Sequence, residues 1–188
     1  KVTWFLNDDK DSIYLTFDDG PTSSVTPWIL EMLDQYNARA TFFCLGCRVE
    51  QFPLQYEEIL RMGHAIGNHT YSHLNGFFSR KEDYIQDIDE ASRMICSDLF
   101  RPPYGSIRPS QIRRLHNGFR IIMWDVLSRD YDPGQTPQNI LDRLKRKVQP
   151  GSIVVFHDSC KAEKNMKGVL ISFLQHFSSK GYIFKAFS

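Results

Sequence analysis

Short runs of apolar and β-branched residues alternate with longer segments of helical periodicity, and this alternation constrains the fold more than any other feature. Short β-branched or aromatic runs that end at Gly or Pro predict strands, whereas apolar residues that recur every three or four positions predict helices. The predicted strands cover residues 13–17, 40–45, 65–66, 99–100, 120–126, 152–156 and 182–187. The predicted helices cover residues 54–62, 79–97, 110–117, 136–148 and 167–179, with a further one that runs to Leu33 from an N-cap among residues 22–24.

Strands that alternate with helices favour an α/β fold with a parallel sheet. Regular repetition of the unit favours closure into a barrel, but eight complete units typically need about 250 residues, and this chain has 188 without any linker or repeat. We therefore expect a distorted (β/α) barrel of about seven parallel strands, in a single domain that spans residues 1–188. An open doubly wound sheet is the alternative, although no Gly-rich phosphate loop follows the first predicted strand.

The charge balance gives no reason to expect nucleic acid or an anionic membrane as a partner. The formal net charge is +1, whereas such partners call for a concentrated basic surface. The densest basic run, residues 143–147, falls in a predicted helix and is interpreted as a solvated face. No apolar run approaches the ~20 residues that span a bilayer, and no signal peptide is visible. Because residue 1 is Lys and not Met, we expect a processed product or a trimmed fragment, and the localisation stays open.

The cysteines do not indicate a disulfide scaffold, since four in a chain of 188 residues are too few. Cys44 and Cys47 form a C-x-x-C pair, but no second pair completes a four-cysteine zinc site. Ordinary thiols are favoured at these two positions, and a local disulfide is the alternative.

Ionisable residues follow five of the predicted strands, close to the point where each strand ends. In a (β/α) barrel the active site lies at the carboxyl ends of the strands, so these side chains are expected to meet at one rim. They are Asp18, Asp19, His69, His73, Arg101, Asp130 and His157.

Asp18 and Asp19 come directly before the strand terminator Gly20-Pro21. Neighbouring residues of a regular strand point to opposite faces, so the two carboxylates share a site only because the strand ends here. Two close carboxylates repel each other and raise one pKa unless a cation intervenes. A metal ion together with an arginine would resolve this conflict, and a plain turn with an aspartate cap is the alternative.

His69 and His73 are separated by four positions, a spacing that places two imidazoles on one face if the segment is helical. Two histidines with one carboxylate leave coordination positions open for water and substrate, as a catalytic zinc requires. Two ordinary polar histidines are the alternative. The other three histidines, His64, His116 and His176, are interpreted as structural.

The segment from Arg101 to Gly105 contains paired prolines, which stiffen the backbone. A stiff loop can hold backbone N–H groups in place for a developing oxyanion, and a turn with a surface arginine is the alternative. His157 follows an apolar strand, where a nearby carboxylate would raise its pKa and make it an acid near neutrality. A histidine that satisfies only a local hydrogen bond is the alternative there.

Five segments in this order resemble the polysaccharide deacetylase family, also called the NodB homology domain or carbohydrate esterase family 4. They are Thr16-Phe17-Asp18-Asp19-Gly20-Pro21, His69-Thr70-Tyr71-Ser72-His73, Arg101-Pro102-Pro103-Tyr104-Gly105, Ser128-Arg129-Asp130-Tyr131 and Val154-Val155-Phe156-His157-Asp158. The segments extend over residues 16–158, which is most of the chain.

The resemblance implies a distorted barrel and a divalent metal ion, usually zinc. It implies Asp19, His69 and His73 as metal ligands and Asp18 as the general base, paired with Arg101. It further implies that the backbone N–H of Tyr104 contacts the oxyanion. His157 would be the general acid, with its pKa tuned by Asp130.

The chain departs from the family pattern in its fourth and fifth segments. Tyr131 stands where tryptophan is usual and Leu127 where many members have another aspartate, and Val154 and Phe156 replace two leucines. We expect these changes to affect the substrate preference more than the chemistry. Expected substrate contacts are the aromatic residues Tyr104, Trp124, Tyr131 and Phe156.

The expected reaction is removal of N-acetyl groups from N-acetylglucosamine-type residues of peptidoglycan, a chitin oligomer or a surface polysaccharide, with release of acetate. A related amidohydrolase for a small non-sugar amide and an inactive glycan-binding module are the alternatives. Such substrates imply action at the cell envelope or outside the cytoplasm. The sequence identifies neither the glycan, nor the native metal, nor the oligomeric state.

Overall fold

The computed structural model describes residues 2–6 and 11–188, and within them nine parallel strands form one curled sheet. The strands are β1 (Val2–Thr3), β2 (Ser12–Asp18), β3 (Thr41–Cys44), β4 (Ala65–Asn68), β5 (Leu99–Phe100), β6 (Arg120–Ile122), β7 (Val126–Leu127), β8 (Ile153–His157) and β9 (Ile183–Lys185). Eight of them follow one another in the order β1-β6-β5-β4-β3-β2-β8-β7, and β9 pairs with the start of β2. The sheet forms a distorted half-barrel in a single domain, which confirms the predicted fold class.

Seven helices flank this sheet in the described part of the chain. They are α1 (Val25–Gln35), α2 (Gly46–Gln51), α3 (Pro53–Arg61), α4 (Lys81–Ala91), α5 (Pro109–Leu115), α6 (Pro137–Lys147) and α7 (Glu163–Ser178). Thr22, and not Ser23 or Ser24, accepts hydrogen bonds from backbone N–H groups at the start of α1. No helix of residues 2–6 and 11–188 is long and apolar enough to cross a membrane.

The predicted strand 120–126 is in fact two strands, which lie at opposite ends of the sheet order. β6 pairs with β1 and β5, whereas β7 pairs with β8. Between them the carboxylate of Asp125 accepts hydrogen bonds from the backbone N–H of Ile153 at 2.6 Å and from the hydroxyl of Ser152 at 2.8 Å. This connection therefore crosses the opening of the half-barrel, and it could not be distinguished from a strand by apolar pattern alone.

The predicted helix 79–97 is also too long, because α4 ends at Ala91. The amide of Asn68 donates hydrogen bonds to the Ile88 carbonyl and the Ser92 hydroxyl, at 3.0 Å each, beside the last turn of this helix. The apolar face of this helix faces the core as its periodicity indicated, since Tyr84, Ile88 and Ala91 are fully buried. Helix α2 was not predicted because it is only six residues long and begins with Gly46.

The alternation of side chains along the strands divides the core into two regions. On β8, Val154 and Phe156 pack with the helices, whereas Ile153 belongs to the cluster inside the curl of the sheet. Burial of each large apolar side chain stabilises the fold by about 1.5–3 kcal/mol. The same alternation places Asp18 of β2 and His157 of β8, which are register partners, on the inner side at the ends of their strands.

The four cysteines are free thiols, so the local disulfide considered for Cys44 and Cys47 does not form. Cys44 is buried at the end of β3 and Cys47 is half-buried in α2. The basic run behaves as expected for a solvated face, because residues 145–147 are exposed at the end of α6.

Candidate active site

A cavity of about 430 Å³ lies at the carboxyl ends of the strands and brings most of the predicted site residues together. It is lined by Asp18, Asp19, His69, His73, Tyr104, Trp124, Leu127, Tyr131, Val155, His157, Ser159 and Lys161. Arg101 and Asp130 lie behind this surface, fully buried, where they contact Asp18 and His157. The expected convergence at one rim is thus what the fold produces.

Asp19, His69 and His73 form a possible metal site. Each offers one ligand atom, and the three atoms lie within 4.8 Å of one another. Oδ1 of Asp19 lies 3.2 Å from Nε2 of His73 and 3.7 Å from Nε2 of His69. This oxygen is buried but accepts no hydrogen bond from the described residues. A buried carboxylate oxygen without a donor is costly, and a cation at this point would satisfy it.

The tautomer of His69 strengthens this argument. Its Nδ1 lies 2.7 Å from the carbonyl oxygen of Arg101, and a carbonyl can only accept, so Nδ1 carries the proton. Burial lowers the pKa of His69 and outweighs the raising effect of Asp18 and Asp19. The neutral ring therefore directs a lone pair from Nε2 at the carboxylate of Asp19. The opposing lone pairs fit a divalent cation between them, and a set of two nitrogens and one oxygen suits zinc.

Local backbone conformations bring these three ligands together. Asp19, Thr70 and His73 adopt positive φ angles of 79°, 68° and 63°. The positive φ at Asp19 turns the chain so that its carboxylate and that of Asp18 line the same cavity. The two histidines lie in a loop after β4 and not on a helix. They therefore do not meet on one face of a helix, which was the arrangement considered from their spacing.

Polar residues that the sequence analysis missed hold the histidine loop in place. Asp87 of α4, buried although charged, accepts hydrogen bonds from the backbone N–H groups of Tyr71 and Ser72 and from the Ser72 hydroxyl. The side chain of Asn68 accepts a hydrogen bond from the N–H of Thr70 at 2.8 Å. The sequence signal that could have identified Asp87 was its position on the apolar face of the predicted helix 79–97.

Asp18 and Arg101 form a buried ion pair beneath the cavity. Nη1 of Arg101 donates to Oδ1 of Asp18 at 2.7 Å and to the hydroxyl of Thr16 at 2.7 Å. The remaining guanidinium nitrogens donate to the carbonyl oxygens of Ile122 and Met123. The guanidinium carbon lies 4.1 Å from the centre of the Phe43 ring. Arg101 is therefore a fully buried partner of Asp18 and not a surface residue of a turn.

His157 and Asp130 form a second pair, and His157 lines the same cavity as the possible metal ligands. Oδ1 of Asp130 lies 2.7 Å from Nδ1 of His157, and Oδ2 accepts the backbone N–H of the same residue at 2.8 Å. Asn165 of α7 donates to the Asp130 carbonyl at 3.1 Å and so fixes the loop. Burial alone would lower the pKa of His157, but Asp130, with Asp19 and Asp18, raises it to about 9. At neutral pH the imidazole is protonated and Nε2 is left to donate.

Asp158 fixes the turn that carries the two aspartates, a role not foreseen in the sequence. Its backbone N–H donates to the Asp18 carbonyl at 2.7 Å. Its carboxylate accepts from the hydroxyls of Thr26 at 2.5 Å and Thr22 at 3.1 Å. Burial raises the pKa of Asp158 to about 7 against the lowering effect of these hydroxyls. A Cβ at Gly20 would lie 2.2 Å from Oδ2 of Asp158, so only glycine fits there.

Three of the four predicted substrate contacts line the cavity, and the fourth does not. The hydroxyl of Tyr104 lies 3.1 Å from Nδ1 of His73, and the ring is 67% exposed. The ring centre of Tyr131 lies 4.9 Å from that of His157. Phe156 is instead fully buried, with its ring 5.5 Å from that of Phe173 in α7. Alternation along β8 turns Phe156 away from the cavity, which Val155 lines in its place.

The three histidines interpreted as structural lie outside the cavity. Nδ1 of His64 accepts the backbone N–H of Ala40 at 3.2 Å. Burial, with the charge of Arg39, lowers the pKa of His64 to about 4. His116 is exposed at the end of α5, and the ring of His176 packs against Phe177.

This fold and site define a class of barrel enzyme in which a possible metal site shares one cavity with an aspartate–arginine pair and a histidine–aspartate pair. The first pair offers a base and the second an acid. Both act on the same cavity, together with three possible metal ligands. Such a set suits hydrolysis of an amide or ester bond.

Comparison with known proteins identifies the family. The family model for polysaccharide deacetylases matches residues 6–117. The chain is 33% identical over 192 residues to a peptidoglycan-N-acetylglucosamine deacetylase of Bacillus cereus, an alignment that covers 97% of this chain and 89% of the relative. It is 35% identical to a chitooligosaccharide deacetylase of Azorhizobium caulinodans, with 85% and 79% covered.

A solved structure shows the same likeness in three dimensions. The crystal structure of a peptidoglycan N-acetylglucosamine deacetylase superposes with a TM-score of 0.92 at 31% identity, covering 98% of this chain and 90% of that chain. The chain therefore belongs to the polysaccharide deacetylase family, as the five sequence segments indicated.

Proposed function

We propose that this protein is a divalent-metal-dependent hydrolase, with zinc as the metal, that removes the N-acetyl group from N-acetylglucosamine-type residues of a glycan and releases acetate. The observation that carries the proposal is the donorless Oδ1 of Asp19, which faces Nε2 of two histidines. Asp18, paired with Arg101, and His157, paired with Asp130, line the same cavity. The family membership and the named glycan deacetylases among the relatives support it.

Asp18 is the proposed general base. Arg101 engages Oδ1 at 2.7 Å, which holds the carboxylate in one orientation and leaves Oδ2 to accept a proton from water. A divalent ion held by Asp19, His69 and His73 supplies Lewis acidity, which makes water more acidic and polarises the amide carbonyl. The proposed assignment of base and ligand within the aspartate pair is supported by two contacts, since Arg101 pairs with Asp18 and the histidines face Asp19.

His157 is the proposed general acid. Because Nδ1 contacts Asp130, Nε2 is the nitrogen that can donate a proton to the departing amine. General acid catalysis of this kind typically contributes about 10²–10⁴-fold in rate. Asp130 keeps the imidazole protonated at neutral pH, as the raised pKa of His157 requires.

Tyr104 is the proposed oxyanion donor through its backbone N–H. The residue adopts a φ of 59° in a short 3₁₀ turn between two prolines and Gly105. This constrained backbone supports a preorganised donor, and removal of one such donor typically costs about 10²–10³-fold in rate. The exposed ring of Tyr104, with Trp124 and Tyr131, is proposed to contact sugar rings. Action at the cell envelope or outside the cytoplasm would follow from such substrates.

The direct test is acetate release from N-acetylglucosamine oligomers and from peptidoglycan, with zinc-loaded wild type beside Asp18→Asn. We expect release by the wild type, and a loss of at least about 100-fold in the variant. The relative rates on the two substrates would identify the glycan. Absence of acetate from every glycan, with zinc bound, would contradict the proposed reaction and favour a small amide substrate or a binding role.

A further inference from the structure

We infer that Lys161 binds a carboxylate of the glycan close to the reacting N-acetyl group, so that this enzyme prefers acidic glycans to neutral ones. The occupant to which we commit is the lactyl ether carboxylate of a muramic-acid-type residue, as in peptidoglycan. This inference rests on the proposed function, because it places the scissile amide beside His157.

Lys161 lies on the acid side of the cavity. It is exposed and lines the same cavity as Asp18, Asp19 and His157. Its Nζ lies 5.5 Å from the centre of the Tyr131 ring, and that ring lies 4.9 Å from the ring of His157. The ammonium group and the proposed acid therefore both lie beside the ring of Tyr131.

The acidic groups of the site have contacts other than Lys161, and the carboxylate of Asp19 faces His69 and His73. Among the described residues, Asp18 pairs with Arg101 and Asp130 with His157. Glu163, two positions along the chain, pairs with Lys167 at 2.7 Å. Lys161 forms no ion pair within the part of the chain that the structure describes, although it is the only lysine or arginine that lines this cavity there. Its charge is thus available to a ligand.

The chemistry of the sugar explains which ligand would use this charge. The amine that His157 protonates is bound to carbon 2 of the ring, and the neighbouring oxygen is on carbon 3. A lactyl ether on that oxygen, or on the adjoining sugar of an alternating glycan, carries a carboxylate within a few ångströms of the amine. A chitin oligomer offers only hydroxyl groups at these positions. An opposite charge that is partly screened by water favours the acidic glycan by about 2- to 5-fold.

The test compares kcat/KM for three oligosaccharides of equal length. One is a peptide-free peptidoglycan oligomer, the second is the same oligomer with its lactyl carboxylates converted to methyl amides, and the third is a chitin oligomer. We expect Lys161→Gln to lower kcat/KM about 2- to 5-fold on the first substrate only, mainly through KM. Lys161→Arg should keep the preference. Salt at 0.5 M should reduce it, because the Debye length is already only ~10 Å at ~0.1 M salt and shortens as salt is added.

Lys164→Gln is the matched control, since Lys164 is exposed in the first turn of α7, three positions after Lys161, but does not line the cavity. An equal loss on acidic and neutral substrates in Lys161→Gln would overturn the inference and show that the lysine only packs on Tyr131. Wild type without any preference for the acidic oligomer would overturn it too. A preference for peptide-bearing or uronic-acid glycans over the lactyl oligomer would overturn the stated occupant.

Binding separates this inference from the proposed function. Calorimetry with zinc-loaded Asp18→Asn, with and without Lys161→Gln, measures the affinity for the acidic and amidated oligomers without turnover. A Lys161-dependent preference in binding, with no acetate released by the wild type, would support the carboxylate site and contradict the deacetylation. Acetate release by the wild type, with equal affinities for the acidic and amidated oligomers, would support the deacetylation and contradict the carboxylate site.

Discussion

Nε2 of His69 faces Oδ1 of Asp19 across 3.7 Å, and neither atom carries a proton. The carbonyl of Arg101 fixes the proton of the imidazole on the far nitrogen. His73 approaches the same oxygen to 3.2 Å. Burial raises the pKa of Asp19, but the contact with the His73 side chain and the charge of His157 outweigh it and lower the pKa well below its usual range, so the carboxylate stays ionised. The fold thus brings electron-rich atoms together where a cation would bind.

Substitution of a ligand and substitution of the base should therefore have different effects. His73→Ala should lose most of its zinc, because two protein ligands remain. Asp18→Asn should keep zinc and lose turnover by about 10²–10⁴-fold. Zinc content by atomic emission and acetate release on the same samples measure both. Normal zinc affinity in His73→Ala would contradict the assigned ligand set.

Asp130 should control the basic limb of the pH profile. The pKa of His157 is raised to about 9, so the acid form is lost as the pH rises through that range. A bound dication repels the imidazolium and moves the limb below this value in the loaded enzyme. Asp130→Asn should move the basic limb to a still lower pH and so narrow the pH range in which the enzyme is active. The profile of kcat against pH, with Asp132→Asn as the control, measures the shift, and an unchanged limb would contradict the role of Asp130.

The raised pKa of His157 also makes the free energy of unfolding depend on pH. Since the folded-state pKa of His157 is raised above its ordinary value of 6.5, its contribution is fully present below about pH 6.5 and is lost as the pH rises through about 9. Urea unfolding of the metal-free protein between pH 6 and 10 should show this loss in the wild type and less of it in Asp130→Asn. Equal pH dependence of the unfolding free energy in both proteins would contradict a stabilising role for the His157–Asp130 pair.

Removal of Arg101 should destabilise the protein strongly. Arg101→Met leaves the buried carboxylate of Asp18 unpaired, which typically costs about 3–5 kcal/mol. Arg120→Met is a matched control, because its ion pair with Asp98 is exposed and such pairs contribute about 0–1 kcal/mol. Chemical denaturation measures both. The double variant with Asp18→Asn should recover part of the loss, and a loss in Arg101→Met no larger than that of the control would refute the burial argument.

Gly20 should tolerate no side chain. In Gly20→Ala the new Cβ would meet the carboxylate of Asp158 at 2.2 Å, so the turn that carries Asp18 and Asp19 must move. We expect zinc affinity and activity to fall at least about 10-fold, since displacements of about 1 Å near a reacting centre can cost ~10²-fold. Gly118→Ala is the control, because a Cβ there meets nothing within 4 Å. Activity retained in Gly20→Ala would show that the turn adapts.

The sequence was sufficient to predict the barrel and the residues that meet at its rim. Strand ends were recognisable because terminators such as Gly20-Pro21 follow runs of β-branched residues, and parallel strands place their ends at one edge. The family resemblance supplied the separate roles of Asp18 and Asp19, which the residues alone left open.

Other features depend on tertiary contacts that no local pattern encodes. The positive φ angles of Thr70 and His73 are held by Asn68 and Asp87, which are distant or unremarkable in the sequence. The break between β6 and β7 falls inside one apolar run, and only pairing with different partners reveals it. Phe156 was expected in the pocket, but the alternation along β8 turns it toward α7.

The most direct test of the central claim is acetate release from a chitin oligomer by metal-free wild type before and after zinc is restored. We expect little activity without metal, recovery in proportion to zinc bound at one site per chain, and no recovery in His73→Ala. Full activity of the metal-free protein would contradict it.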